Sequence, residues 1–207
     1  MAEDGTAGGS AGAGNYNDKP QGTRIGWHLL STTYPFVTQW LRLRQDRVLL
    51  EGKGEIDFTY HDHPGTVVVV PVTWDDQVVL IRQYRYTVDE WTVEVPAGGL
   101  HDAQGMALEA VAHKELREEI GATCQQMRYV NFFYSCVGQS NQRCHVFLAT
   151  GVELTDQQTA EDTESIELVP TPVGEALHMA RTGQIKDGIS ALALLMCFDL
   201  LKADGYI

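Results

Sequence analysis

Alternation of polar and apolar positions dominates the part of the chain that follows a polar opening stretch. It extends through the segments 26–33, 38–50 and 54–61. This alternation is typical of half-exposed antiparallel strands, because successive side chains of a strand point to opposite faces. The opening residues 1–21 are rich in Gly, Ala, Ser, Asp and Asn and offer little to bury, so we expect a disordered or extended arm there.

Two uninterrupted aliphatic runs, 66–72 and 78–81, break the alternation. Such runs are typical of central strands that are buried on both faces. Asp75 and Asp76, which stand between the two runs, favour a turn. Shorter strand patterns follow, at 91–95, 126–135, 143–152 and 164–170. The chain therefore contains the strands of a larger sheet in addition to those of its first segment.

Helical periodicity appears in three later segments. In the first, 106–120, apolar residues recur every four positions and form a core-facing row. This row consists of Leu108, Ala112, Leu116 and Ile120. Gly121 then stands where a helix commonly ends. Two further helices, 172–182 and 187–203, follow, and the order of strands, helix, strands and helices predicts a mixed α/β (α+β) domain.

Composition excludes several classes of function. The 207 residues include 28 acidic and 15 basic side chains, a formal net charge of −13, which disfavours binding to a nucleic-acid backbone. No apolar run approaches the roughly 20 residues of a membrane helix, and the chain opens without a secretory signal pattern. Four cysteines without metal-site spacing fit reduced thiols. We therefore expect a cytoplasmic protein without nucleic-acid or membrane partners.

The chemistry of the chain concentrates on the helix at 106–120. Glu115, Glu118 and Glu119 are three or four residues apart or adjacent, so they project as one acidic patch. Carboxylates in such a patch repel one another unless cations lie among them. Oxygen ligands suit hard cations such as Mg²⁺, so the patch predicts a divalent-metal site.

The segment 98–121, a glycine-rich loop followed by this acidic helix, resembles the Nudix box. That box is the signature of hydrolases that cleave a nucleoside diphosphate linked to another group. The resemblance implies a Nudix fold, with a mixed β-sheet sandwiched between helices and a small N-terminal antiparallel β subdomain. It also implies that Glu115, Glu119 and the carbonyl of Ala97 hold Mg²⁺ (or Mn²⁺). Glu118 would be a third ligand or would orient the attacking water.

Two positions depart from the family pattern. Lys114 replaces the family's arginine, Met106 replaces its loop glutamate, and the loop is one residue longer. In the family these two residues pair and hold the loop against the helix, which a methionine and a lysine cannot do. Because both are replaced, no charge is left without its partner, and Lys114 can pair with Glu118 one turn further along the helix.

Similarity beyond the box extends over about residues 25–203 and points to the ADP-ribose and ADP-sugar pyrophosphatases. It is carried by the segments 82–85, 91–98 and 182–188. The resemblance places Arg85 on the substrate diphosphate, since a guanidinium matches phosphate oxygens with two bonds, although Arg85 could instead pair with Asp89 or Glu90. It also assigns Glu94 and Leu100 to substrate binding.

Members of this subfamily often take a catalytic base from a loop outside the box. The matching segment is 159–167, and Glu164 is the predicted base, with Glu161 as the second candidate. A carboxylate near a cation-bound water can accept its proton. Aromatic side chains of the N-terminal subdomain commonly hold the base ring, often across a dimer, and here Trp40 and Phe58 are the candidates.

These expectations divide the chain into an arm at 1–21, a β subdomain for dimerisation and base recognition at 22–62, and a catalytic domain at 63–207. The predicted reaction is the metal-dependent hydrolysis of a nucleoside diphosphate sugar, most simply ADP-ribose to AMP and ribose 5-phosphate. One alternative is a nucleotide-binding or regulatory module with little catalysis. Another is a hydrolase for a GDP-sugar or a dinucleoside polyphosphate. We also expect a homodimer, because the N-terminal strands have little to pack against.

Overall fold

A computed structural model of the chain describes residues 22–101, 103, 105–155, 158 and 165–207. After a short 3₁₀ helix at Thr23–Ile25, the strands are β1 (Trp27–Val37), β2 (Arg42–Leu50), β3 (Gly54–His61), β4 (Thr66–Thr73), β5 (Gln77–Arg85), β6 (Glu90–Glu94), β7 (Ala97–Gly99), β8 (Ala122–Tyr134), β9 (Arg143–Leu154) and β10 (Ile166–Pro172). The helices are α1 (Leu108–Ile120), α2 (Val173–Thr182), α3 (Gly188–Met196) and α4 (Phe198–Ala203).

The first three strands form an antiparallel sheet of their own, in the order β1-β2-β3. The predicted strand 38–50 is too long at its start, because residues 38–41 form a turn. The hydroxyl of Thr38 accepts hydrogen bonds from the backbone N–H groups of Trp40 and Leu41, which satisfies donors that a strand would otherwise pair. Trp40 therefore lies on the turn between β1 and β2, and not within a strand.

Within the described residues the main sheet has seven strands, with the order β10-β5-β4-β9-β8 and with β6 and β7 paired to β5 and β4. The strands β4 and β9 are parallel, and the other pairs are antiparallel. The predicted glycine-rich loop begins as strand β7, whose residues pair with Thr66, Val67 and Val68 of β4. Because glycine is disfavoured in strands, the sequence pattern did not indicate this strand.

Two hydrophobic cores lie on opposite faces of the main sheet. Alternate residues of β4 divide between them, since Val67 and Val69 pack with α1 while Val68 and Val70 pack with the helices α2, α3 and α4. Every side chain from Thr66 to Val72 is buried, which confirms the prediction of a central strand covered on both faces. The sandwich of helices around a mixed sheet is likewise confirmed.

The helix α1 begins two residues later than the sequence predicted and ends where it predicted. Its four-residue apolar row is buried, and Gly121 ends the helix in the left-handed region with φ 62°. The predicted single helix 187–203 is wrong, because it is interrupted at Cys197. That residue stays in the right-handed region, but its ψ of −7° differs from the roughly −42° of a regular α-helix, so one helix ends there and the next begins at Phe198.

The predicted strand bounds shift by a few residues elsewhere. The strand expected at 126–135 is β8, which begins directly after Gly121, and the strand expected at 164–170 is β10. No helix in the described part of the chain combines the length and the apolar character that a membrane crossing requires.

A buried ion pair fixes the N-terminal sheet from within. Arg44 donates from Nε to Oδ1 of Asp46 at 2.8 Å, and the side chains of both residues are at most 9% exposed. The hydroxyl of Thr32 also donates to Oδ1 of Asp46, and the hydroxyl of Tyr60 donates to Oδ2. A charge buried in this way is stable only while its partners remain in place.

We predict that Asp46→Ala lowers the free energy of unfolding by about 3–5 kcal/mol, because it leaves the Arg44 guanidinium buried without its counter-charge. The matched control is Asp57→Ala, which removes the partner of Arg47. Arg47 lies on β2, as Arg44 does, but its ion pair with Asp57 is open to solvent. That variant should leave the free energy of unfolding almost unchanged. Chemical denaturation of the two variants checks the difference, and equal losses would contradict it.

Candidate active site

The acidic face of α1 lies against the backbone of β7. Glu115 and Glu119 are only 8% and 4% exposed, although both are ionisable. Oε2 of Glu119 accepts a hydrogen bond from the backbone N–H of Ala97 at 3.0 Å. A Cβ added at Gly98 would overlap the carboxylate of Glu115, so any larger residue there would force this carboxylate to move.

Glu118 lies on the same helix but has a different environment. Its carboxylate accepts a hydrogen bond from Nζ of Lys114 at 2.6 Å, and the same ammonium group lies 3.4 Å from Glu115. The predicted pairing of Lys114 with Glu118 is therefore confirmed. The side chain of Glu118 is 38% exposed. The structure thus buries Glu115 and Glu119 against β7 and leaves Glu118 on a part of α1 that is open to solvent.

The oxygen donors at β7 suit a hard cation. Among the described residues, no group of three or more Asp, Glu, His or Cys side chains is arranged to hold a metal ion. Glu115 and Glu119 are two buried carboxylates one helical turn apart, the first against Gly98 and the second on the N–H of Ala97. This donor set fits Mg²⁺, which takes one or two carboxylates and completes its shell with waters and substrate phosphates.

Arg85 and Glu94 form a bidentate ion pair across the strands β5 and β6. Nε and Nη2 of the arginine donate to the two carboxylate oxygens at 2.8 Å and 2.6 Å, and the hydroxyl of Thr92 donates to the same carboxylate. Burial by itself raises the pKa of Glu94, but the hydrogen bonds from Arg85 and Thr92 bring the pKa below its usual value. Glu94 is therefore a buried, ionised residue that orients the guanidinium.

The alternative partners of Arg85 are engaged elsewhere. Glu90 accepts from Lys186, and Asp89 accepts from the hydroxyl of Tyr84. The hydrogen bonds that Arg85 donates to Glu94 raise its pKa, burial lowers it, and the charges of Glu94, Glu119 and Asp187 raise it further, so that the pKa lies above its usual value. Because the charge of Glu119 acts on the guanidinium in this way, Arg85 and this buried carboxylate of α1 belong to one electrostatic neighbourhood.

Two residues that sequence reasoning missed connect α3 to this neighbourhood. Oδ2 of Asp187 accepts from the backbone N–H and from the hydroxyl of Ser190, which caps α3. Oγ of Ser190 accepts in turn from the backbone N–H of Val95, two residues before Ala97. An aspartate three residues before a serine at the start of an apolar helix is a recognisable capping signal. The hydrogen bond between Ser190 and Val95, in contrast, joins residues that only the fold brings together.

The predicted aromatic contacts lie apart from one another. Trp40 is 54% exposed, and its ring meets His101 edge to face at 6.3 Å. Phe58 stacks on Trp27 at 5.4 Å, and both line a cavity of about 550 Å³ between the N-terminal sheet and residues 134–141. None of the residues at β7, nor Arg85 or Glu94, lines that cavity.

Three further predicted site residues complete the comparison. Leu100 is buried and packs in the core that includes α1, while its backbone N–H donates to the carbonyl of Gly65 at 3.0 Å. Its side chain therefore belongs to this hydrophobic core, and its role in substrate binding stays a prediction. The predicted bases, Glu164 and Glu161, lie outside the described residues.

Comparison with known proteins identifies the family. The model of the NUDIX domain matches residues 62–189. The chain is 30% identical over 133 residues to an ADP-ribose pyrophosphatase of Bacillus subtilis (strain 168), which covers 64% of this chain and 71% of that protein. It is also 30% identical over 161 residues to a GDP-mannose pyrophosphatase of Escherichia coli (strain K12), which covers 73% and 80%.

A solved structure supports the same fold. The crystal structure of an ADP compounds hydrolase aligns with a TM-score of 0.75 over 87% of this chain and 97% of that chain, at 15% sequence identity. The identity is too low to carry more than the fold. The domain match, in contrast, spans more than half of the sequence and includes Arg85, Glu94 and the acidic helix, and the chain therefore belongs to the Nudix hydrolase family.

Proposed function

We propose that this protein hydrolyses the diphosphate bond of a nucleoside diphosphate sugar, with ADP-ribose as the substrate and AMP and ribose 5-phosphate as the products. The observation that carries the proposal is the position of Arg85. Its guanidinium is held by Glu94 and feels the charge of Glu119, which in turn accepts from the N–H of Ala97. A phosphate-binding cation and a metal-binding carboxylate thus belong to one connected group.

The metal site of the proposal uses Glu115, Glu119 and the backbone carbonyl of Ala97 to hold Mg²⁺ or Mn²⁺. Glu118 is a third ligand or orients the attacking water, and either role would draw it from its contact with Lys114. When bound, the cation supplies charge neutralisation at the diphosphate and lowers the pKa of a water molecule. The position of both carboxylates beside the backbone of β7 supports this assignment, since Glu119 accepts from the N–H of Ala97 and Glu115 lies against Gly98.

Substrate binding in the proposal depends on the planar fork of Arg85. The fork donates to Glu94 through Nε and Nη2, which fixes its plane and directs the other terminal nitrogen away from Glu94. That nitrogen can bind a diphosphate oxygen. Glu94 is then a residue that orients Arg85 beside the substrate, and the charge of Glu119, which accepts from the N–H of Ala97, acts on the same guanidinium.

The remaining roles follow the family resemblance. Glu164 accepts the proton of the attacking water, with Glu161 as the alternative base. Trp40 and Phe58 are the candidates for stacking on the base ring, and Leu100 is a further candidate for substrate contact. Phe58 stacks on Trp27 at the wall of a cavity, which supports the stacking role proposed for Phe58.

A second candidate substrate is a GDP-sugar. The relative from Escherichia coli is named a GDP-mannose pyrophosphatase and is as similar to this chain as the ADP-ribose pyrophosphatase is, at 30% identity for each. Both substrates carry the diphosphate that Arg85 and the carboxylates would bind, so only the base and the sugar separate them.

We predict that the purified protein with Mg²⁺ or Mn²⁺ releases AMP and ribose 5-phosphate from ADP-ribose, and that a chelator abolishes the release. Glu119→Gln should lower kcat by about 100-fold, or about 2.7 kcal/mol, because it removes a charge from the metal site. The control is Glu109→Gln, which changes an exposed glutamate on the same helix. Product identification by chromatography checks the prediction.

A panel of ADP-ribose, ADP-glucose, GDP-mannose and diadenosine polyphosphates separates the alternatives. If only GDP-mannose or only a diadenosine polyphosphate is hydrolysed, that compound replaces ADP-ribose as the proposed substrate, and the proposed hydrolase activity stands. Binding of ADP-ribose without turnover of any compound would favour the regulatory module and overturn the proposed hydrolysis.

The glycine at the metal site gives a second prediction. Gly98→Ala should weaken Mn²⁺ binding by about tenfold or more, because the added methyl group displaces the Glu115 carboxylate. The matched control is Gly174→Ala, since a Cβ at Gly174 meets nothing within 4 Å. Calorimetric titration with Mn²⁺ measures both variants, and an unchanged affinity in Gly98→Ala would remove Glu115 from the proposed ligands.

The homodimer is also part of the proposal. The register places Val48, Ile56 and Phe58 on one face of the N-terminal sheet, and Ile56 and Phe58 remain partly exposed there. Ile56→Glu should convert a dimer to a monomer in light scattering, because it places a charge on this face. Leu49→Glu, on the opposite face of the same sheet, should not do so. A monomeric unsubstituted protein would contradict the dimer.

A further inference from the structure

Three histidine rings stack edge to face between the end of β3 and the loop that follows β7. The ring centroids of His61 and His63 are 5.1 Å apart at an interplanar angle of 86°, and those of His63 and His101 are 4.7 Å apart at 83°. Trp40, on the turn between β1 and β2, adds a fourth ring at the edge of His101. The stack therefore connects the N-terminal sheet to the segment 98–101.

Backbone hydrogen bonds extend this connection. The N–H of Gly65 donates to Nδ1 of His63 at 3.0 Å, and the carbonyl of Gly65 accepts from the N–H of Leu100. Gly65 has a φ of +117°, and a Cβ there would meet Cδ1 of Leu100 at 3.0 Å, so glycine is needed where the two segments meet. His63 thus bonds the N–H of Gly65 while Leu100 bonds its carbonyl, and the ring of His63 contacts the residue after Leu100, His101.

The protonation state of His63 suits this role. Because Nδ1 accepts a hydrogen bond from a backbone N–H, the ring is in its neutral form with the proton on Nε2. Burial, followed by the neighbouring rings of His101 and His61, lowers the pKa of His63 to about 3. The acceptor at Nδ1 therefore persists throughout the neutral pH range.

The segment 98–101 needs an anchor at this point. Met106 and Lys114 cannot form an ion pair with each other, and Lys114 is engaged with Glu118. The N–H of Ala97 nevertheless contacts Glu119, and Gly98 lies against Glu115. A displacement of the segment by a fraction of an ångström would alter both contacts, which makes its position critical for the carboxylates.

We propose that His63 and His101 are positioning residues that lock the segment 98–101 onto the chain between the two sheets and thereby hold the β7 backbone against Glu115 and Glu119. The kinetic consequence of this role rests on the proposed hydrolase function. The structural and metal-binding consequences do not depend on turnover.

His101→Ala tests the proposal. The N–H of Leu100 should exchange with solvent faster, because its partner Gly65 loses the support of the ring contact. Mn²⁺ binding should weaken by about 10–100-fold, the range found when a residue that supports a ligand is removed. The value of kcat for ADP-ribose should fall while KM changes little. His101→Phe, which keeps an aromatic edge at this position, should restore all three.

His63→Asn is the second variant, in case His101→Ala does not fold. Asparagine can still accept from the N–H of Gly65 but has no ring to contact His101, so the same changes are expected. The control is His178→Ala, which removes an exposed histidine on α2. Exchange is measured by NMR, and Mn²⁺ affinity by calorimetric titration.

The outcomes separate this proposal from the proposed function. Faster exchange and weaker Mn²⁺ binding, restored by His101→Phe, support it even if no compound is hydrolysed, and the hydrolase function alone then falls. Unchanged exchange in both His101→Ala and His63→Asn overturns it, whatever the hydrolysis assay shows. Faster exchange with unchanged Mn²⁺ affinity also overturns it, because the contact would then have no effect on the carboxylates.

Discussion

The burial of the Glu115 and Glu119 carboxylates against the backbone of β7 is the constraint on which the rest of the site depends. Two like charges one helical turn apart and out of solvent destabilise a folded protein unless donors or cations offset them. The N–H of Ala97 supplies one donor, and the missing side chain of Gly98 supplies the space. The pairing of β7 with β4, and the packing of α1 on the same sheet, bring helix and strand together.

Local patterns in the sequence account for the elements but not for the way in which they meet. The four-residue apolar row of α1, its terminal glycine and the Lys114–Glu118 contact depend on spacing within one helix, and all three were predicted. The pair Arg85–Glu94 depends on the register between β5 and β6, which no local pattern encodes. The histidine stack joins His63 to His101, which lie far apart in the sequence, so local patterns could not predict it either.

Because the chain is acidic, the single positive charge of Arg85 is important for attracting a phosphate. A net charge of −13 would repel a diphosphate, yet charges beyond the Debye length of about 8 Å are largely screened at physiological salt. The field at the site is therefore set by nearby groups. The guanidinium of Arg85, held by the buried Glu94, the ammonium group of Lys114 beside Glu115 and any bound cation are local positive charges that can attract a phosphate.

The hydrogen bond between Ser190 and Val95 shows that the support of the site continues beyond the matched NUDIX domain. The matched domain stops at residue 189, and the residues with recognisable chemistry all precede that point. Ser190, however, is buried and accepts the N–H of Val95, just before the strand that carries Ala97. A fragment that ended with the matched domain would keep every charged group of the site and lose the support for the peptide beside it. The part of the structure that supports the site therefore extends into α3, whose Ala193 and Leu194 are also buried in the core.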